Sequence, residues 1–178
     1  MKAIRSFIIL NTLIYISLLF PAEAQQKAAQ SGTFAVYFSP RGGATSAIIQ
    51  SLDNAKVLVL VQAYSFSSIP ITEALVRAHN RGVTVQVLLD KSQRTQRFTA
   101  ASLLGQAGIR THIDAAHAIA HNKVMVIDSE IVITGSFNFT KAAEERNAEN
   151  LLFISNVDLA NRYTENWKAH QAHSEPSR

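Results

Sequence analysis

Short runs of apolar residues alternate along the chain with segments in which apolar residues recur every three or four positions. Such alternation predicts an α/β domain in which helices cover a buried sheet. The predicted strands are residues 34–38, 56–63, 83–89, 123–127, 131–134 and 151–154. The predicted helices are residues 45–54, 71–80 and 157–170.

Two of the predicted strands are apolar on both faces, 56–63 through its residues 57–61 and the strand 83–89. A strand that faces water on one side alternates apolar and polar residues, so these two strands belong in the middle of a sheet covered on both faces. We therefore expect a three-layer α/β/α sandwich around a mixed β-sheet.

The first two dozen residues do not fit this domain pattern. Lys2 and Arg5 precede an apolar run over residues 7–20, and Ala22-Glu23-Ala24 has the small-x-small form that a signal peptidase cleaves. The alternative is a retained membrane anchor, but a bilayer needs about 20 apolar residues. We expect residues 1–24 to be a cleaved signal peptide, residues 25–178 to form a single domain, and the protein to be periplasmic or secreted.

Charge and cysteine content narrow the choice of partners. The chain has 17 Lys and Arg against 13 Asp and Glu, and removal of the predicted signal, with Lys2, Arg5 and Glu23, leaves 15 against 12. This mild excess of positive charge permits a polyanionic partner. Because the chain contains no cysteine, it has neither disulfides nor thiolate metal ligands.

A basic stretch lies between residues 91 and 113. It contains no acidic side chain before Ile113, and its basic residues are Lys91, Arg94, Arg97 and Arg110. Two interpretations stay open, a solvated surface segment and a rim that follows the phosphates of a substrate beside the active site.

Residues 121–138 carry the candidate chemistry. Residues two apart in a strand share a face, so His121 and Lys123 point the same way. Asp128 and the serine after it predict a turn to the next strand. A loop of two or four residues would gather His121, Lys123, Ser136 and Asn138 on one face, whereas a three-residue loop would scatter them.

A histidine, a lysine, a hydroxyl and an amide can together hold a phosphate diester. Lys123 supplies positive charge, Ser136 and Asn138 supply neutral donors, and His121 acts as a base or a nucleophile. A two-metal nuclease needs several carboxylates to bind Mg²⁺, and only Asp128, itself the predicted turn residue, lies nearby. We predict no metal and no cofactor at this site.

These residues form His-x-Lys-x-x-x-x-Asp followed by Gly-Ser-x-Asn, which resembles the signature of the phospholipase D superfamily. The whole mature chain, including residues 38–43 and 62–66, is similar to the single-motif bacterial endonucleases of that superfamily. The resemblance implies that His121 attacks phosphorus to form a phosphohistidine. It also implies that Lys123 and Asn138 bind the non-bridging oxygens with support from Ser136, and that Glu149 orients the imidazole.

The resemblance also implies a homodimer, because most members carry two motif copies in one chain and this chain carries one. The second His121 would then protonate the leaving oxygen and activate water. Nucleic acid is the expected substrate. The alternatives are a phospholipase D-type hydrolase of lipids or small diesters and a nucleic-acid-binding module without activity. The remaining histidines, His79, His112, His117, His170 and His173, are predicted to be structural or solvated.

Overall fold

The computed structural model describes residues 32–95 and 99–177. The predicted signal peptide, residues 1–24, and Arg97 of the basic stretch lie outside the described residues. The strands are β1 Thr33–Ser39, β2 Leu58–Ala63, β3 Thr84–Asp90, β4 Arg110–Asp114, β5 Lys123–Ile127, β6 Ile131–Gly135, β7 Glu149–Ser155 and β8 Glu175–Pro176. The helices are α1 Ala44–Asn54, α2 Ile69–Asn80, α3 Ala100–Gln106, α4 Lys141–Glu145 and α5 Val157–Ala172, with a 3₁₀ turn at Lys91–Arg94.

All eight strands form one sheet in the order β1-β7-β6-β5-β2-β3-β4-β8. β2, β3 and β4 are parallel, and the other pairs are antiparallel. The sheet is therefore mixed, as predicted. The apolar strands β2 and β3 lie near its middle, where both faces are covered.

The two faces of the sheet pack against different helices. One face packs on α1, α2 and α3 through a core that includes Ile48, Leu75 and Met125. The other face packs on α5, where Trp167 lies against alternate strand residues such as Leu60. The indole Nε1 of Trp167 donates to the carbonyl of Val61 at 2.9 Å. The predicted three-layer α/β/α architecture is confirmed.

Helix α5 covers one face of the sheet but does not extend as far as β1. At β1, the described residues leave that face of the sheet exposed. Phe34 is 77% exposed and Phe38 is 64% exposed, with Val36 between them on the same side of the edge strand. Their partners on β7, Leu152 and Ile154, are only partly buried. An apolar strip thus runs along β1 on the side that α5 does not reach.

The hairpin between β5 and β6 corrects one expectation. Ile127 pairs with Ile131, so the loop has three residues rather than two or four. Asp128 and Ser129 both have positive φ, 53° and 56°, and the Glu130 N–H donates to the Ile127 carbonyl at 3.0 Å. Glu130 lies outside the β5–β6 ladder, and its carbonyl accepts the N–H of Asn156, which extends the pairing of β6 with β7 by one step.

The basic stretch forms the 3₁₀ turn, α3 and β4. Two of its cations are bonded within the protein, since Lys91 Nζ donates to the His117 carbonyl at 3.0 Å and Arg94 forms an ion pair with Glu175. These contacts do not favour the phosphate-binding interpretation of those two side chains. Among the described residues, no helix combines the length and apolar content needed to cross a bilayer.

Candidate active site

The motif residues begin where β5 enters the sheet. Lys123 is the first residue of β5, and it pairs with Ala63 at the carboxyl end of β2. Tyr64, the residue that follows β2, donates its backbone N–H to the Asn122 carbonyl at 2.8 Å. This bond continues the ladder beyond the strand and fixes the backbone beside His121, whose side chain is exposed.

Lys123 is nearly buried, with 6% of its surface exposed. Its ammonium donates to the backbone carbonyl of His121 at 2.9 Å and lies 5.0 Å from the centroid of the Tyr64 ring. Burial lowers the pKa of Lys123 below the usual value of a lysine, and the negative charge of Glu149 opposes this shift. Lys123 and Glu149 are therefore close enough to interact electrostatically.

Tyr64 is a site residue to which the sequence analysis assigned no role. Its ring centroid lies 4.5 Å from that of His121, with the two planes inclined by 55°. The ring therefore limits the orientations that the imidazole adopts and screens one side of it from water. In the sequence, the position of Tyr64 directly after a buried strand could have indicated a site residue. Only the pairing of β2 with β5 shows that it contacts His121.

Ser136 and Glu149 meet directly. Ser136 Oγ donates to Glu149 Oε2 at 2.6 Å and accepts the backbone N–H of Asn150 at 3.1 Å. Asn147 Nδ2 donates to Glu149 Oε1 at 3.0 Å. Both carboxylate oxygens thus have a donor, and among the described residues neither forms a hydrogen bond with His121.

The three-residue hairpin loop places Lys123 and Ser136 at alternating positions, which in regular strands would point to opposite faces. A local irregularity explains why both still reach Glu149. The backbone N–H groups of Ser136 and Phe137 both donate to the Asn150 carbonyl, at 3.1 and 3.3 Å. This is the hydrogen-bond pattern of a β-bulge, which re-aims side chains at the end of a strand.

Gly135 permits this bulge. A Cβ at this position would lie 2.2 Å from the carbonyl oxygen of Asn150, well inside van der Waals contact. The glycine thus lets β6 approach β7 closely just before Ser136, in the Gly-Ser part of the sequence motif.

Asn138 lies two residues beyond Ser136 and is half-buried. Its Oδ1 is buried and has no hydrogen-bond donor among the described residues. The neighbouring Phe139 anchors the segment, because its carbonyl accepts the N–H groups of Ser67 and Ser68, both at 3.0 Å.

Asp128 does not join the other predicted site residues. It lies at the opposite end of β5 from Lys123, about 16 Å away at the rise of an extended strand. Its carboxylate accepts the backbone N–H groups of Lys56, Val57 and Leu58 at 2.8 to 3.3 Å. Asp128 therefore anchors the start of β2, in line with its interpretation as a turn residue.

The assembled site can bind an anion and supply a nucleophile. It offers the buried ammonium of Lys123 and the exposed imidazole of His121, whereas the single proton of the Ser136 hydroxyl is donated to Glu149. Glu149 balances the charge of the lysine. A cation beside an imidazole is suited to holding and attacking a phosphate diester.

Comparisons with known proteins agree with this geometry. Residues 48–170 match the family model described as "Cardiolipin synthase, PLD-like domain". A protein of Rickettsia typhi named phospholipase D is 47% identical over 135 residues, which are 76% of this chain and 66% of that protein. The matched part thus spans just under two thirds of the relative's length.

Solved structures show the same fold. Nuc from Salmonella typhimurium, described as a phospholipase D family member, superimposes with a TM-score of 0.80 and 36% identity over 83% of this chain and 99% of that one. NucT from Helicobacter pylori superimposes with a TM-score of 0.75 over 82% and 99%, but at 21% identity it is evidence for the fold alone. From the family model and the Rickettsia and Salmonella matches, the chain belongs to the phospholipase D superfamily.

Proposed function

We propose that the chain is a metal-independent phosphodiesterase that cleaves nucleic acid through a covalent phosphohistidine at His121. The observation that carries the proposal is that the exposed ring of His121 and the buried ammonium of Lys123 both lie against the Tyr64 ring, and that Glu149 balances the charge of the lysine. A Mg²⁺ site would need several carboxylates. The described part of the site offers Glu149, whose oxygens already bind Ser136 and Asn147.

The reaction takes place in two displacements. A ring nitrogen of His121 attacks phosphorus, a P–N bond forms, and the P–O bond to the leaving group breaks as a second imidazole donates a proton to that oxygen. Water then attacks phosphorus and gives its proton to the second imidazole, and the P–N bond breaks. Lys123 offsets the negative charge that develops on the non-bridging oxygens in both transition states.

Nucleic acid is the proposed substrate. The excess of Lys and Arg favours a polyanion. The sequence resemblance to the small single-motif endonucleases adds to this, and the likeness to Nuc, described as a phospholipase D family member, extends over 99% of that chain. A lipid headgroup is the second candidate, favoured by the name of the Rickettsia relative and by the exposed Ile119, two residues before His121.

One assay separates these substrates. Purified mature protein is incubated with plasmid DNA and, separately, with phosphatidylcholine vesicles, each with and without excess EDTA. We expect DNA cleavage that persists in EDTA and is absent from the His121→Asn variant. Cleavage of the lipid alone would establish the second candidate, and cleavage that requires added Mg²⁺ would contradict the charge argument.

The covalent step has its own test. A quenched reaction of the wild type is expected to contain a phosphoramidate that is labile in acid, and the His121→Asn variant is expected to lack it. Two successive in-line displacements retain the configuration at phosphorus. Inversion would instead indicate direct attack by water and would contradict the phosphohistidine.

We further propose that two chains share one site. The mechanism needs two imidazoles, and the chain has one His-x-Lys motif. His112 lies on β4, and His117, His170 and His173 are held by Asp114 at the end of β4, three strand spacings or about 14 Å from β5, so none of them is placed to be the second imidazole. The apolar strip on β1 supports a second copy as its cover. Phe38, at one end of the strip, pairs with Asn150, which donates to Ser136 Oγ.

Export from the cytoplasm is part of the proposal and rests on the sequence of residues 1–24. Mass spectrometry of the protein isolated from its native cells is expected to show a chain that begins at Gln25. An intact N-terminus would indicate a retained segment instead.

A further inference from the structure

Four potential metal ligands meet outside the candidate active site. They are Asp114 at the end of β4, His117 in the loop that follows, and His170 and His173 at the end of α5 and just beyond it. Each offers one ligand atom, and these atoms all lie within 4.8 Å of one another. The sequence analysis assigned these histidines no function, because the two pairs are more than 50 residues apart in the sequence.

Asp114 forms the centre of this group and is 1% exposed. Its Oδ2 lies 2.7 Å from His170 Nδ1 and 3.8 Å from His117 Nε2. Its Oδ1 lies 3.4 Å from His173 Nε2 and accepts the backbone N–H of Ala116 at 3.1 Å. The carboxylate is therefore held in a fixed orientation.

The three imidazoles surround the carboxylate from different directions. Their ring centroids form a triangle with sides of 4.9, 5.2 and 5.4 Å. One histidine is enough to pair a buried carboxylate, so three rings around Asp114 are more than pairing requires. A bound cation accounts for all four side chains, because each supplies one ligand atom to it.

We propose that Asp114, His117, His170 and His173 form a binding site for a divalent first-row transition metal, with Zn²⁺ as the reference ion. Three imidazoles and one carboxylate are a donor set that suits Zn²⁺. Tetrahedral bonds of about 2.0–2.1 Å place ligand atoms about 3.3–3.4 Å apart. The separations of the three ring nitrogens from the two Asp114 oxygens, 2.7, 3.4 and 3.8 Å, bracket that value, and the four ligand atoms all lie within 4.8 Å of one another, so ring movements that draw them closer complete the site.

The metal would join two distant segments of the chain. His117 belongs to the loop from β4 to β5, and His170 and His173 end the helix that covers one face of the sheet. The same loop is tied to β3 further along, where Ala120 N donates to Asp90 Oδ2 at 2.7 Å, and it then leads to His121. The site therefore clamps α5 to the loop that carries the candidate nucleophile.

This role is structural and does not depend on the proposed function. β4 and β5 are separated by β3 and β2, so the metal lies about three strand spacings, roughly 14 Å, from Lys123. Removal of the metal is expected to lower thermal stability while cleavage at room temperature persists. Loss of the phosphodiesterase proposal would leave the metal site untouched.

The test uses the full chain, purified without a histidine tag and stripped of metal. Zn²⁺ titration by calorimetry is expected to give one ion per chain, and saturation to raise Tm by about 5–10 °C. Co²⁺ is expected to bind with the intense visible absorption of a tetrahedral site. Binding of Zn²⁺ that leaves Tm unchanged, or no binding, would overturn the proposal.

Matched variants locate the ion. His117→Ala and His173→Ala remove the two more exposed ligands, so the domain is expected to fold and to lose the Zn²⁺-dependent rise in Tm. His79→Ala, at the end of α2, and His121→Asn are controls that keep the full rise. Loss of the rise in either control, or its retention when His117 and His173 are both replaced, would rule out this site.

Discussion

Lys123 combines burial with a charge that the proposed reaction needs. Burial lowers its pKa and Glu149 raises it, so the two effects set the pH above which the ammonium is lost. His121, by contrast, is exposed at the entrance to the site. The cation proposed to bind substrate is thus shielded, while the proposed nucleophile is accessible.

The pH profile of cleavage tests this arrangement. Activity is expected to fall as pH rises through the lowered pKa of Lys123, because the neutral amine no longer stabilises a phosphate. Glu149→Gln removes the charge that raises this pKa, so the alkaline limb of kcat/KM moves to lower pH.

Two variants make the assignment specific. Lys123→Arg, to the extent that it retains activity, loses the alkaline limb because arginine stays charged. Glu145→Gln removes an exposed carboxylate on α4 and leaves the profile in place. An alkaline limb that does not move in Glu149→Gln would show that another group controls it.

Asp128 illustrates a motif residue with a structural role. Burial opposes its charged form, but hydrogen bonds from the N–H groups of Leu58, Val57 and Lys56 outweigh this and lower the pKa of Asp128. A carboxyl whose folded pKa is depressed stabilises the fold above its unfolded pKa, and this contribution is lost as pH falls through the folded pKa. Asp128 thus stabilises the protein at neutral pH and not in strong acid.

Two variants, Asp128→Asn and Asp128→Gly, remove the carboxylate without straining the backbone. Asparagine and glycine both tolerate the φ of 53° that the chain has at this position. We expect Asp128→Gly to lower the free energy of unfolding by about 1–3 kcal/mol at pH 7, and Asp128→Asn by less because one acceptor remains. The difference in free energy of unfolding between the wild type and either variant is expected to shrink below pH 4. Urea unfolding at several pH values measures it. A difference that is independent of pH would contradict the charge-based role.

At the scale of elements, α4 supports the start of α1. Glu144 Oε1 accepts the N–H of Gly43 at 3.1 Å, and its Oε2 accepts that of Thr45 at 2.7 Å. The N-cap position of α1 has no side-chain cap of its own. A carboxylate from a distant element therefore satisfies donors that the first turn leaves free and interacts favourably with the helix dipole.

Two adjacent glutamates give a matched test of this cap. Glu144→Ala is expected to cost about 1–2 kcal/mol and to lower Tm by about 2–8 °C. Glu145→Ala loses only an exposed i,i+4 pair with Lys141 at 3.6 Å, and its Tm is expected to change by about 1 °C or less. Equal effects in thermal unfolding would refute the capping role of Glu144.

Sequence periodicity identified the apolar strands and failed where a strand is mostly polar. β2 and β3 are apolar enough to be predicted as central strands, but β4 reads Arg-Thr-His-Ile-Asp and was assigned to the basic stretch. The hairpin register could not be predicted either, because it depends on the positive φ of Asp128 and Ser129 and on the bulge at Ser136. Such details are set by contacts with β2 and β7, which local sequence does not reveal.

At the scale of the whole molecule, the proposed shared site predicts a particular loss on mixing subunits. Random pairing of equal amounts of wild type and His121→Ala gives about one quarter wild-type dimers, one half mixed dimers and one quarter mutant dimers. Mixed dimers lack one of the two imidazoles. Activity after joint refolding is therefore expected to fall to about one quarter of an all-wild-type sample, measured as the initial rate of cleavage.

Independent sites would instead leave about one half of the activity. His79→Ala, mixed with wild type in the same way, is the control and should leave activity unchanged. A result of one half, or an active monomer in sedimentation, would refute the shared site.

The chain contains a single tryptophan, and its indole lies between α5 and the sheet with Nε1 bonded to the Val61 carbonyl. Its fluorescence therefore reports on one event, the docking of the last helix. Detachment of α5 alone would expose Trp167 and shift its emission to longer wavelength, while far-UV circular dichroism would still show an intact sheet. Intrinsic emission can thus follow the attachment of α5 in the unlabelled protein.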